Sequence, residues 1–85
     1  AEINVFPNPM VGNNINITFT NVKNGAYDLQ IVNMAGAVVK TMPIQHEGSK
    51  TYTVNLATQL PAGIYNVSVK DNSGKVVHTQ QVVKQ

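Results

Sequence analysis

The fold is decided by the stretch Leu60-Pro61-Ala62-Gly63-Ile64-Tyr65, which continues as Asn66-Val67-Ser68-Val69-Lys70. Pro61 lacks an amide donor and cannot lie inside a central strand. Gly63 tolerates a positive φ, so the backbone can turn there without a Cβ clash. After this turn the residues alternate, with Tyr65, Val67 and Val69 on one face and polar side chains on the other. The stretch therefore predicts a turn that leads into a half-buried β-strand.

The same stretch carries a more specific signal. The combination of Leu60, Pro61, Gly63 and Tyr65 is typical of the tyrosine corner of Greek-key sandwiches, in which a tyrosine that opens a late strand donates its hydroxyl to the backbone just upstream. We predict that Tyr65 is buried and that its hydroxyl donates to a carbonyl within residues 60–63. An ordinary loop followed by a core tyrosine is the alternative. Both interpretations predict the fold of this stretch, and neither predicts a catalytic or binding function.

Period-two alternation predicts six further strands. With the one above, the predicted strands are residues 2–6, 14–20, 26–33, 37–42, 51–56, 64–71 and 75–84. Asn24-Gly25 predicts a hairpin loop over residues 21–25, and Pro43 is predicted to close the fourth strand before a polar loop over residues 44–50. The doublets Val76-Val77 and Val82-Val83 indicate a bulge or an edge position in the last strand.

These elements predict one architecture. Seven short strands separated by frequent turns favour an all-β, seven-stranded antiparallel immunoglobulin-like Greek-key sandwich. No segment shows helical periodicity of useful length, and we expect neither an internal repeat nor a second domain. Residues 1–85 are therefore predicted to form a single domain.

Composition narrows the classes of function. With 85 residues, the chain can bury roughly 60–65% of its unfolded surface. It has no cysteine, so disulfides and thiolate metal sites are excluded. The net charge of +2 comes from scattered lysines without arginine, which argues against nucleic acid as a partner. No apolar run approaches a membrane span or a signal peptide. A start at Ala1, without an initiator methionine, indicates a piece of something longer.

Candidate chemistry is sparse. His46 and Glu47 are adjacent in a predicted loop and His78 is distant, so we expect solvated side chains and no metal site. Asp71 begins a run that Gly74 turns into a hairpin, and no later acid completes a calcium loop. Three serines, Ser49, Ser68 and Ser73, have no evident histidine partner. We predict no catalytic residue, no cofactor and no metal, and thus no enzyme.

A succession of short motifs carries a resemblance that covers essentially the whole chain. The motifs are Val5-Phe6-Pro7-Asn8-Pro9 with Gly12, Val32-Asn33-Met34-Ala35-Gly36 before Val38-Val39, Leu60-Pro61-Ala62-Gly63-Ile64-Tyr65, Gly74-Lys75-Val76-Val77, and the terminal Val82-Val83-Lys84. In this order they resemble the type A C-terminal sorting domain of type IX secretion cargo, found in Bacteroidetes. Asn33 departs from the Asp that is common in the family, and Ala37 from the usual Lys or Arg.

The resemblance implies a role as an address. Domains of this family sit at the C-terminus of exported proteins, cross the periplasm with their cargo and are recognised by the type IX translocon and its outer-membrane shuttle and sortase components. A sortase-like peptidase then generally removes the domain, and the cargo is released or joined to anionic lipopolysaccharide at the cell surface. A fibronectin-like spacer or adhesion module, including a carbohydrate-binding one, is the alternative. The cargo and the oligomeric state stay open.

Recognition is expected where backbone groups are exposed. If the last strand lies at an edge, a partner can add a strand to it, and Lys84 would place a charge near the terminal carboxylate. We also expect removal of residues 83–85 to leave most of the core intact. The next candidate is the turn after the first strand. The candidate recognition residues are Pro7, Asn8, Pro9, Gly36, Gly63, Val82, Val83, Lys84 and Gln85.

Overall fold

Two β-sheets form the protein, seen in a computed structural model that describes residues 2–7, 9–10, 12–48, 50–56 and 60–85. Across these residues there are seven strands and no helix, which confirms the all-β prediction. The strands are β1 (Glu2–Phe6), β2 (Asn14–Thr20), β3 (Gly25–Asn33), β4 (Val38–His46), β5 (Lys50–Asn55), β6 (Gly63–Asp71) and β7 (Val76–Lys84).

The sheets have the orders β1-β2-β5 and β4-β3-β6-β7, and neighbouring strands are antiparallel. The chain passes between the sheets after β2, β4 and β5, which is consistent with the predicted immunoglobulin-like sandwich. Alternate side chains from both sheets fill the core, as the period-two pattern requires. The most deeply buried of them are Val5, Ile15, Ile17, Phe19, Leu29, Ile31, Val54, Val67, Val69 and Val82, and Met10 joins them from the segment between β1 and β2.

The predicted hairpin between β2 and β3 is wrong. These strands belong to different sheets, so the loop between them crosses the sandwich edge. Its positive φ angles fall at Asn21 (55°) and Gly25 (151°), and not at an Asn24-Gly25 pair. The inward and outward faces of both strands were predicted correctly. The alternation of side chains does not determine which sheet a strand joins.

The predicted end of the fourth strand is also wrong. β4 continues through Pro43, which lies opposite Asp28, as far as His46. An edge strand tolerates proline because the missing amide faces away from its neighbour. The extension places Ile44 and His46 in the core, each 3% exposed, where a polar loop was expected.

Valine doublets mark a bulge in each edge strand of the larger sheet. Ile31 lies opposite Lys40 and Val32 opposite Val38, so Val39 is the extra residue in β4. In β7 the extra residue is Val77, since Val69 lies opposite His78 and Lys70 opposite Val76. The predicted bulge and edge position of the last strand are thus both confirmed.

The larger sheet contains an internal repeat, contrary to the sequence-based expectation. The hairpin from Gly25 to His46 matches the hairpin from Gly63 to Lys84 in strand lengths, bulge position and burial along the edge strand. Gln30 and Ser68, which occupy equivalent positions, lie opposite each other where β3 pairs with β6, so a local pseudo-twofold axis passes between them. The identical pairs are Gly25/Gly63, Tyr27/Tyr65, Gly36/Gly74, Val38/Val76, Val39/Val77 and Thr41/Thr79.

Candidate recognition surface

The predicted tyrosine corner is present, and it occurs twice. Tyr65 is 4% exposed and its hydroxyl donates to the carbonyl of Pro61 at 2.6 Å, which confirms the prediction. In the other hairpin, Tyr27 is 7% exposed and donates to the carbonyl of Lys23, also at 2.6 Å. The second corner was missed because Lys23 and Asn24 replace the Pro61-Ala62 that made the first one conspicuous.

We expect Tyr65→Phe and Tyr27→Phe each to lower the free energy of unfolding by about 1–2 kcal/mol, because each leaves a partly buried carbonyl without its donor. Denaturant titration of the two variants measures this. The tyrosines begin β3 and β6 at opposite ends of an antiparallel pair, about 20 Å apart, so the double variant should lose the sum of the two effects. A change near zero for either variant would contradict its corner.

Equivalent side-chain oxygens organise the two hairpin turns. Asn33 Oδ1 accepts hydrogen bonds from the amides of Ala35 (3.0 Å) and Ala37 (2.9 Å). Asp71 Oδ1 accepts from the amides of Ser73 (2.9 Å) and Lys75 (3.0 Å), and also from Ser73 Oγ (2.6 Å). Each turn then passes through a glycine with φ of 88°. The Asn that departs from the resembled pattern therefore keeps the same backbone contacts as an Asp.

The turn at Asp71 is expected to be sensitive to acid. The Ser73 hydroxyl hydrogen bond, with the Lys75 and Ser73 amides and the Lys75 charge, lowers the pKa of Asp71 below its ordinary value, against a smaller desolvation effect. Because the folded pKa lies below the unfolded one, the contribution is complete above about pH 5 and is lost as the pH falls through the folded pKa. Asp71→Asn keeps the acceptor, as Asn33 does, and removes the titration.

Urea unfolding of both proteins between about pH 7 and pH 2 tests this. The wild type should be the more stable at neutral pH, and the difference should shrink as acid protonates Asp71. As a matched control, Asn33→Asp introduces a carboxylate into the equivalent turn and should add acid sensitivity there. Parallel pH profiles for the wild type and Asp71→Asn would refute the role of the carboxylate.

The end of β7 is covered, unlike the open edge that the sequence suggested. The Met10 amide donates to the carbonyl of Val83 (2.6 Å), and the Gln85 amide donates to the carbonyl of Met10 (3.1 Å). Lys84 is 4% exposed and its Nζ donates to the carbonyl of Gln85 at 2.9 Å. The charge of Lys84 thus lies beside the last residue, as expected, although the residue is buried. Strand addition at this point would have to displace Met10.

A glutamine closes the same side of the sandwich further along. Gln80 Oε1 accepts from the Val5 amide (3.0 Å) and Gln80 Nε2 donates to the Val5 carbonyl (2.7 Å), so one side-chain amide bridges β7 to β1. His78 Nε2 lies 2.9 Å from the same Gln80 oxygen. No sequence pattern pointed to this residue, because glutamine is an ordinary surface residue on an edge strand.

Several of the predicted recognition residues meet at one end of the sandwich. Gly63 lies opposite Lys84, and Pro9 precedes the Met10 that pairs with the end of β7. Val82 is fully buried and Val83 is 40% exposed. Pro7 is exposed after β1, and Asn8 falls outside the described residues, as does Ser49. The turn that contains Gly36 begins at Asn33, opposite Tyr65.

Hollows lie beside both tyrosine corners, and two of them occupy equivalent places in the repeat. One, of about 280 Å³, lies between residues 33–35 and residues 61–65. The other, of about 150 Å³, lies at the equivalent place in the repeat, between residues 23–27 and Asp71-Asn72. The first is shallow and adjoins Gly63. A third hollow, of about 330 Å³, lies against the Tyr27 corner beside Ile3, Val22 and Val77.

His46 belongs to the core, which corrects the expectation of a solvated side chain. Its ring packs on Phe19 with centroids 4.4 Å apart, and Nδ1 lies 2.9 Å from the Tyr52 hydroxyl. Nε2 is buried without a hydrogen-bond partner. Within the described part of the chain, no group of three or more His, Cys, Asp or Glu side chains could hold a metal ion. The described residues likewise include no helix with the length and apolarity to span a bilayer.

Comparison with known proteins adds one finding. The model of the secretion system C-terminal sorting domain matches residues 4–85, nearly the whole chain. No curated protein and no solved structure matches the chain.

Proposed function

Because the chain belongs to the family of type IX secretion C-terminal sorting domains, we propose that it directs its cargo through the type IX translocon across the outer membrane. Membership of the family implies an N-terminal cargo, interaction with the secretion machinery, and export to the cell surface or the medium. The single observation that carries the proposal is the family match over residues 4–85.

The finer steps are part of the proposal. Residues 1–85 act as one signal domain that crosses the periplasm folded, joined to its cargo. At the surface a sortase-like peptidase separates the two, and the cargo is released or attached to anionic lipopolysaccharide. The packed core and the closed β1–β7 side support a role as a rigid address, since a recognised surface must keep one shape. A spacer module would share the fold but has no need of the family's motifs.

Recognition is proposed at the end of the sandwich where the candidate residues gather. Pro7, Pro9, Gly36 and Gly63 shape its loops and turns, and Asn8 remains a candidate from the sequence. The end of β7, Val82 to Gln85, contributes backbone held by Met10 and the half-exposed Val83 side chain. Because Val82 and Lys84 are buried, we assign direct contact in this strand to Val83.

A fusion experiment tests the proposal. The chain is joined to the C-terminus of a periplasmic reporter and expressed in a bacterium with a type IX system. We expect the reporter at the surface or in the medium, and we expect it to stay periplasmic in an otherwise identical strain without the translocon. Surface labelling and cell fractionation measure the distribution. A fusion that resists protease, and so is folded, yet stays periplasmic in the competent strain would refute the sorting role.

A further inference from the structure

The internal repeat provides a comparison that a single hairpin could not. On the outer face of the larger sheet, five aliphatic side chains gather around the Tyr65 corner. Ile64 lies opposite Val83 and Val32 opposite Val38, while Met34 and Ile64 line the same hollow. Met34 is 67% exposed, Val38 53%, Val83 40% and Ile64 38%. We call this group the aliphatic patch: Val32, Met34, Val38, Ile64 and Val83.

The equivalent positions at the other end of the sheet are mostly polar. Following the repeat, Lys70 stands for Val32, Asn72 for Met34, Val76 for Val38, Ala26 for Ile64 and Gln45 for Val83. Both ends have the same strand pairing, bulge, turn and tyrosine corner. The backbone therefore does not require aliphatic residues at these positions, since polar residues and a small alanine support the same structure nearby. Solvent-exposed apolar groups that the fold does not need mark a contact surface.

We propose that the aliphatic patch is a docking site for an uncharged, aliphatic segment of a type IX secretion component, an inference that rests on the proposed function. The patch itself is aliphatic and the uncharged Asn66 lies opposite Val32, so the surface offers apolar contact and no charge to pair. The shallow hollow of about 280 Å³ beside Met34 and Ile64 adds a concave area on which an apolar side chain of the partner can rest.

The small area of the patch favours a segment of the secretion machinery over a second copy of the chain as its partner. A stable dimer buries about 800 Å² on each partner, and five partly exposed aliphatic side chains supply well under that area. Each copy also carries a formal charge of +2, which disfavours self-association. A small apolar contact gives a transient complex. Transient binding suits a signal, because the secretion machinery must release it after export.

The repeat also indicates how to test the proposal, because the residues found at the polar end are substitutions that this backbone already accommodates. Met34→Asn, Ile64→Ala and Val83→Gln, combined in one variant, introduce the residues found at the equivalent polar end. The matched control combines Asn72→Ser, Gln45→Ser and Val76→Thr at that other end. Both variants are fused to the reporter described above, and the unfolding midpoint of each isolated domain is measured. If the combined variant unfolds early, Met34→Asn alone takes its place.

We expect the patch variant to fold, and to lower surface delivery at least about tenfold, because three apolar contacts are lost, while the control is delivered normally. Delivery of a folded patch variant at the wild-type level would overturn the patch and leave the sorting function standing. If the wild-type fusion itself is not delivered, both the proposed function and the docking role of the patch are refuted.

Two further measurements test the choice of occupant. Sedimentation of the free domain should show a monomer. A dimer that disappears in the patch variant would overturn the proposal in favour of a second copy. Flotation with vesicles of phosphatidylethanolamine and phosphatidylglycerol should leave the domain unbound. Binding that the patch variant loses would assign the patch to the membrane instead.

Discussion

Phe19→Ala is expected to lower the free energy of unfolding by about 3–5 kcal/mol, the range for removing a large aromatic ring from a packed core. Phe19 is fully buried in β2 and its ring joins the two sheets. Its ring meets the rings of Tyr27 and Tyr52 edge-on, with centroids 5.4 and 5.5 Å away. The His46 ring is tilted against it, with a centroid distance of 4.4 Å. The truncation removes these ring contacts and leaves a cavity beside the unpartnered His46 Nε2.

Denaturant titration measures the effect, with Val76→Ala as the control. Val76 is 47% exposed, so its truncation should change the free energy of unfolding by about 0.5 kcal/mol or less. Phe19→Leu should recover part of the loss, because it keeps apolar volume in the cavity. If Phe19→Ala cost no more than Val76→Ala, the aromatic cluster would not be the centre of stability that the packing indicates.

Removal of residues 83–85 is expected to cost about 3 kcal/mol or more, contrary to the expectation from sequence that the core would survive it. The deletion takes away the acceptor and the donor that hold the backbone of Met10, each worth about 1 kcal/mol. Met10, which is fully buried, then loses its anchor and part of its apolar burial. The buried stem of Lys84 is lost as well.

Val83→Ala is the matched control for this truncation. It keeps the backbone that Met10 uses and trims a side chain that is 40% exposed, so we expect a loss of less than about 1 kcal/mol. Thermal and urea unfolding compare the two variants. A truncated domain as stable as Val83→Ala would show that the contact with Met10 contributes little. Since truncation is expected to destabilise the domain, export studies of the β7 end are better made with side-chain substitutions.

Local patterns were sufficient for much of the fold. Alternation located seven strands, most within a residue of their observed bounds, and assigned the inward faces of β2, β3 and β6 correctly. The residues around Tyr65 predicted both its burial and its hydrogen bond. The valine doublet in β7 indicated its bulge and its edge position. These features depend on side-chain direction and turn chemistry, which neighbouring residues determine by themselves.

The candidate site was predictable only in part. The motifs around Gly36, Gly63 and Val83 pointed to the end of the sandwich at which recognition is proposed. The aliphatic patch was not visible, because its members come from three separate segments and only strand pairing brings them together. The repeat that reveals it was hidden by substitution, since few of its positions are identical beyond the glycines, tyrosines and valines.

By itself, the sequence determined the strands, their buried faces, the tyrosine corner and the family resemblance. The tertiary structure decided which sheet each strand joins, why β4 runs through Pro43, how Met10 covers the end of β7, and that His46 and Lys84 are buried. The physical reason is the distance along the chain over which each interaction acts. Alternation and turn propensity act over a few neighbouring residues, whereas sheet membership and edge coverage depend on contacts between distant segments whose gain appears only when the whole core packs.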